Sequence, residues 1–241
     1  MDTTHPADAL LHHTAALAKA AAGGDPEARV PTCPDWPLRV LVGHVGQAHR
    51  WAASTVRGEP SAVPDPLDAD PGDPAGWPEW LHAGAADLIA AVSTSDSPVW
   101  TFFGDGPATF WLRRMLNDTI VHHADAAGEA FEVAPGLAED AITEWLELLA
   151  NPVTQTLRPD LAALRGTGQT LQLRPAETEG WHLTRTRDGL TWSRQTATAD
   201  ATLAGPLRDL LLVVTRRLPA DHLTTTGDRG LVDHWLAHTK A

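Results

Sequence analysis

The chain is 241 residues long, 43 % hydrophobic and 20 % charged, with a formal net charge of −13 and a pI of about 5.2. That length is enough for one large domain or two modest ones with a real core, and the near-average hydrophobic and charged fractions exclude wholesale disorder. So acidic a chain repels phosphate backbones and anionic lipid, which makes nucleic acid and membrane surfaces poor candidates as partners.

No apolar run approaches the ~20 residues of a membrane-spanning helix. The amino terminus (MDTTHPADALLHH) has neither the basic nor the apolar region of a secretory signal. A single cysteine, Cys33, excludes a disulfide framework and a multi-cysteine zinc site. A soluble, cytoplasmic protein is expected. The 12 histidines stand against only two lysines, Lys19 and Lys240, and 10 tryptophans against no tyrosine. The histidines matter most, since imidazole is the commonest metal ligand and titrates close to neutrality.

Residues 6–22 are Ala- and Leu-rich at helical spacing and end at Gly23-Gly24. The connector Val30-Pro31-Thr32-Cys33-Pro34-Asp35-Trp36-Pro37 is rigid, and Asp35 is placed to cap a helix with Pro37 in its first turn. That helix carries Leu38, Leu41, Val42, Val45, Ala48 and Ala52 on one face. Residues 58–78 are rich in Pro, Asp and Gly and predict a long loop. A third helix is predicted over 79–93 and a fourth over 107–127, with a further helical stretch over 137–149. These amphipathic helices predict a four-helix bundle.

Beyond residue 151 the pattern changes. Thr170–Arg174 alternates, and 181–194 reads as a hairpin around Asp188-Gly189. A short strand over 200–203, a helix over 206–217, a strand over 222–226 and a helix over 229–238 complete a small mixed domain. The expected fold class is α+β, with a helical bundle over 1–150 and a small α+β domain over 151–241.

The fourth helix carries the chemistry. Trp111, Met115, Asp118, His122 and Asp125 recur at spacings of three and four and share one face. That face starts apolar and becomes acid, imidazole, acid. A carboxylate and an imidazole at i and i+4 fit a solvated pair or two ligands of one divalent ion. His44 lies at the edge of the second helix's apolar stripe, where it reads as a satisfied core histidine or as a third ligand. Facing helices of a bundle are where such ligands meet. Three protein ligands leave an open position, the mark of a catalytic zinc.

The motifs Val30-Pro31-Thr32-Cys33-Pro34-Asp35-Trp36, Leu41-Val42-Gly43-His44 and His49-Arg50-Trp51 resemble the N-terminal module of the mycothiol-dependent maleylpyruvate isomerase family. Arg113-Arg114-Met115 and the stretch Asp118-Thr119-Ile120-Val121-His122 with Asp125-Ala126 resemble its other metal-bearing segment. Ala201–Pro206, Leu210–Leu212, Arg217 and Thr226-Gly227-Asp228 resemble its sterol-carrier-like C-terminal domain. The resemblance implies a DinB-like bundle whose metal ligands fall on His44, Asp118 and His122. It departs in having Asp118 for glutamate, Asn117 for histidine and His123-Ala124 for Arg-Trp. The shorter aspartate requires its helix to sit closer to the ion.

The function so implied is isomerase or S-transferase chemistry on an electrophilic small molecule. Zn2+ or another divalent metal would hold mycothiol, the low-molecular-weight thiol of actinobacteria, as its thiolate. A zinc hydrolase on the same site and a non-catalytic small-molecule- or lipid-binding protein are the alternatives. A monomer or small homo-oligomer is expected, without nucleic-acid or membrane partners. Arg217 reads either as the catalytic cation for a substrate carboxylate or as a helix C-terminal cation, a role Arg216 fills as well. Cys33 reads as structural, and His49 and His123 as surface or satisfied core. Trp36, Trp51, Trp111 and Trp145 read as core; His12, His13, His82 and His182 carry no signal.

Overall fold

The computed structural model describes residues 5–59 and 62–239. The chain divides into two compact units between Glu132 and Val133.

The first unit holds four long helices. Helix α1 (Pro6–Ala21) ends where Ala22 turns extended and Gly23 takes φ +77°. The ribbon β1 (Arg29–Val30) and β2 (Cys33–Pro37) pairs antiparallel and leads into α2 (Leu38–Val56). Pro37 is the N-cap residue, without a side-chain cap bond. Asp35 therefore does not cap α2, contrary to expectation: it lies inside the extended ribbon, two residues short of the cap.

The loop expected over 58–78 contains two 3-10 turns, Pro66–Asp68 and Pro74–Gly76, and gives way to α3 (Trp77–Ser93). Its Pro60 and Ser61 lie outside the described residues. A hairpin unforeseen in the sequence follows, β3 (Val99–Thr101) with β4 (Gly104–Gly106), before α4 (Thr109–Ala127).

Helix α1 packs chiefly on α4, and α2 on α3, with further contacts of α1 on α3 and α2 on α4. This closes a four-helix bundle whose core includes Leu17, Val42, Val45, Trp77 and Leu81. Two glycines of α2 explain its close approach to its neighbours. A Cβ on Gly46 would lie 2.0 Å from the Trp80 ring of α3, and one on Gly43 would lie 2.9 Å from the Ala69 carbonyl oxygen of the loop. The helix-propensity cost of two glycines is about 1 kcal/mol each, and the packing it permits offsets it.

The second unit begins with α5 (Pro135–Ala150), which the sequence pattern attached to the bundle. In the structure α5 packs on α7 (Leu207–Val214) and on the sheet at β7. A short α6 (Pro152–Leu157) follows. The sheet has the order β7-β6-β5-β8-β9, formed by β5 (Thr170–Pro175), β6 (Trp181–Thr186), β7 (Gly189–Arg194), β8 (Ala201–Gly205) and β9 (Thr224–Gly227). Its pairings are antiparallel except β5 with β8.

The hairpin turn is Arg187-Asp188, one residue earlier than expected; Gly189 (φ +137°) already pairs with Thr186. Trp181 anchors α5 to the sheet: its Nε1 donates to Thr143 Oγ1 at 3.1 Å, and the Arg194 guanidinium lies 4.3 Å above its ring. Helix α7 is shorter than the predicted 206–217 and stops at the Thr215 cap, so Arg216 and Arg217 lie beyond it. Helix α8 (Arg229–His238) closes the chain as expected.

The helical first unit and the sheet-bearing second unit make an α+β protein. No helix among the described residues is long and apolar enough to cross a membrane.

Candidate metal centre

Helices α2 and α4 lie side by side in the bundle and bring three polar side chains to one place. His44 projects from α2, and Asp118 and His122 project from successive turns of α4. His44 Nε2 lies 3.6 Å from Asp118 Oδ2, and His122 Nε2 lies 3.8 Å from the same oxygen. One ligand atom from each residue falls within 4.8 Å of the others. Two donors about 2.1 Å from one tetrahedral ion stand about 3.4 Å apart, so both histidine–aspartate spacings lie within a few tenths of an ångström of ligation distance, and the imidazole pair closes by up to about 1.4 Å to share a cation. The donor set, two imidazole nitrogens and one carboxylate oxygen, suits zinc or a similar divalent ion.

The side chains are oriented from behind. Arg114, one turn before Asp118, donates from Nη2 to Asp118 Oδ1 at 2.6 Å and leaves Oδ2 turned to the two histidines. Burial raises the affinity of the Asp118 carboxyl for a proton. The Arg114 charge, the hydrogen bond to His44 and the His122 and His44 charges together outweigh it, and the group is held well below the usual carboxylate range. His122 donates from Nδ1 to Asp125 Oδ2 at 2.8 Å. A carboxylate can only accept, so the proton of the neutral ring sits on Nδ1 and the lone pair on Nε2 faces the cluster. Trp36 packs across both imidazoles, with ring centroids 4.9 Å from His44 and 5.8 Å from His122. Sequence reasoning placed Trp36 in the core; it is instead a half-buried wall of the candidate site, and its position beside His44 was not encoded in any spacing.

The other candidates fall elsewhere. His49 is buried, with Nε2 2.8 Å from Thr119 Oγ1. Thr119 donates its own proton to the Met115 carbonyl, so His49 donates from Nε2. Its buried Nδ1 finds no partner among the described residues. Burial, opposed by Asp118 and reinforced by Arg50 and His44, lowers its pKa to about 4. His123 is buried against His13, their Nδ1 atoms 3.0 Å apart, and burial lowers both to about 4. His13, silent in the sequence, is thus a core residue.

Trp111 is fully buried in an aromatic cluster with Trp51, Trp100 and Phe102. In the second unit, Arg217 Nη1 donates to the Thr215 carbonyl (2.7 Å), just past the end of α7. Arg216 takes φ +69°, the one non-glycine residue with positive φ among those described.

The family model described as the mycothiol maleylpyruvate isomerase N-terminal domain matches residues 7–127, half of the chain. Two solved structures share the fold across both units. They are a mycothiol-dependent maleylpyruvate isomerase, 14 % identical with a TM-score of 0.61, and an alanine variant of such an enzyme, 13 % identical with a TM-score of 0.61. In each case 92 % of this chain and 91 % of the other are covered. No curated protein sequence matches significantly.

Proposed function

Since this chain belongs to the mycothiol maleylpyruvate isomerase family, we propose that it is a metal- and thiol-dependent enzyme that isomerises an electrophilic small molecule or transfers the thiol to it. The observation that carries the reading is the convergence of His44, Asp118 and His122 on one point. A divalent ion bound there, zinc for choice, supplies a Lewis acid that keeps a thiol deprotonated at neutral pH.

The protein's own residues set the preference for thiolate. Two neutral imidazoles and one carboxylate bring a single negative charge to a dication, so the centre keeps net positive charge and favours an anionic fourth partner. Three protein ligands leave that fourth position open. The Trp36 indole lines the histidine pair with apolar surface, which disfavours a small hydrated ligand relative to a polarisable sulfur. Mycothiol is the thiol that the family relationship suggests.

Thiolate addition to an activated cis double bond leaves a single bond free to rotate, and expulsion of the same thiolate restores the double bond in trans geometry. Protonation of the neighbouring carbon in place of expulsion gives an S-conjugate. Arg217 is proposed to bind a substrate carboxylate by a bidentate pair, exchanging its Thr215 carbonyl contact for the anion. Under that role Arg217→Lys raises KM for a carboxylate substrate more than it lowers kcat.

The test is incubation of the zinc-supplemented protein with maleylpyruvate, with and without mycothiol. Fumarylpyruvate or an S-conjugate forming only with the thiol, and suppressed by a chelator, is the expected result. Cleavage of maleylpyruvate by water to maleate and pyruvate, with or without the thiol, would identify a hydrolase instead.

A further inference from the structure

The connector between α1 and α2 runs beside the candidate metal centre, and its hydrogen bonds converge on one carboxylate outside the candidate ligand set. Asp125 lies in the last turn of α4 with its side chain fully buried. His122 Nδ1 donates to its Oδ2 at 2.8 Å, Thr32 Oγ1 donates to its Oδ1 at 2.5 Å, and Cys33 Sγ donates to its Oδ2 at 3.6 Å. These donors come from two elements, one of them more than ninety positions away in the chain, and they fit an ionised acceptor shielded from solvent. A buried carboxylate is costly unless it is so satisfied.

We propose that Asp125 is the positioning residue of the metal centre, fixing His122 in its Nδ1–H form with Nε2 presented to the ion, and that Thr32 and Cys33 of the connector hold Asp125 in place. The ring of a histidine has two nitrogens and two flip states. Only the donor bond from Nδ1 to a fixed acceptor selects the one in which Nε2 is unprotonated and aimed at His44 and Asp118. Asp118 is held in the same manner by Arg114, so two of the three candidate ligands are pre-oriented before any ion arrives. The side chains of Thr32 and Cys33 reach back to α4, while Trp36, a few residues on, packs against both imidazoles. Cys33 acts here as a weak donor and does not enter the chemistry.

The consequence for ion binding rests on the metal reading above, but the tautomer can be measured without any metal. In the metal-free protein, imidazole 15N–1H correlation spectra should show His122 as a single Nδ1–H tautomer. Asp125→Ala should convert it to a mixture, and Asp125→Asn, which still offers a carbonyl acceptor, should leave the tautomer largely in place. Titration with Co2+ followed by its visible absorption should then show binding weakened about 10- to 100-fold in Asp125→Ala, with smaller losses in Asp125→Asn and Thr32→Val. Circular dichroism checks each variant for folding. If Asp125→Ala does not fold, the Co2+ affinities of the Asn and Val variants decide the matter, a loss in both supporting the proposal and wild-type affinity in both overturning it.

A purely structural anchor would lower thermal stability while leaving the His122 tautomer and the Co2+ affinity of the folded variants unchanged, and that result overturns the proposal. Wild-type protein that binds no Co2+ but shows the fixed tautomer sinks the metal reading instead. A His122 ring that is not the Nδ1–H form in the wild type sinks this one alone.

Discussion

Acidification should destabilise the helical unit through His49, by an amount that can be worked out. The ring is buried, donates from Nε2 to Thr119 and has no acceptor at Nδ1 among the described residues, so a second proton has nowhere to go. Its pKa is about 4 in the fold against 6.5 in the unfolded chain. A depressed folded value means that the stabilising difference is complete above 6.5, shrinks as the unfolded state takes up protons below it, and is fully lost once pH passes below about 4.

At about pH 5 the unfolded ring is almost wholly protonated and the native ring almost wholly neutral, a ratio of about 30 in binding polynomials and about 2 kcal/mol of stability lost relative to pH 7.5. His49→Gln keeps a donor for Thr119 and removes the titration. Urea unfolding of wild type and variant at the two pH values should give a wild-type loss larger than the variant's by about 2 kcal/mol. The His13–His123 pair titrates in both proteins and cancels from the comparison. Equal pH dependence of the two proteins would refute the assignment of His49 as a neutral, unsolvated ring.

Other consequences are local. Arg216→Gly removes a side chain from a left-handed backbone position and should raise the stability of the second unit by about 0.5–1 kcal/mol, the relief of left-handed strain minus the added unfolded-state entropy; a lowered melting temperature would contradict this. Gly43→Ala places a methyl group against the Ala69 backbone and should cost about 1–3 kcal/mol in chemical denaturation. An unchanged midpoint would mean that the loop yields freely from α2.

The elements that hold the candidate site were legible because they rest on periodicity. Asp118, His122 and Asp125 share a face by helical spacing alone, and His44 marks the edge of an apolar stripe whose position in a bundle follows from Leu41, Val42 and Val45. What spacing does not carry is the partner of each face. Nothing local says that Thr32 and Cys33 reach Asp125, because the contact spans more than ninety residues and depends on the ribbon lying over the end of α4.

The same blindness assigned α5 to the bundle: its stripe of Ala138, Ile142 and Leu149 fits a helix face or a sheet face equally well, and in the fold it covers α7 and β7. Asp35 had the chemistry of a cap but stood between Pro34 and Pro37, where proline geometry keeps the chain extended until Leu38. The β3–β4 hairpin was hidden by strands of three residues each, too short for alternation to register.

The central claim is that two imidazoles and Asp118 hold a divalent ion in a bundle that folds without it. Elemental analysis of the purified protein beside His44→Ala and His122→Ala tests this most directly. Stoichiometric zinc or a similar metal is expected in the wild type and loss of it in both variants, with circular dichroism unchanged. Wild-type protein that takes up no divalent metal, or variants that keep it, would contradict the claim.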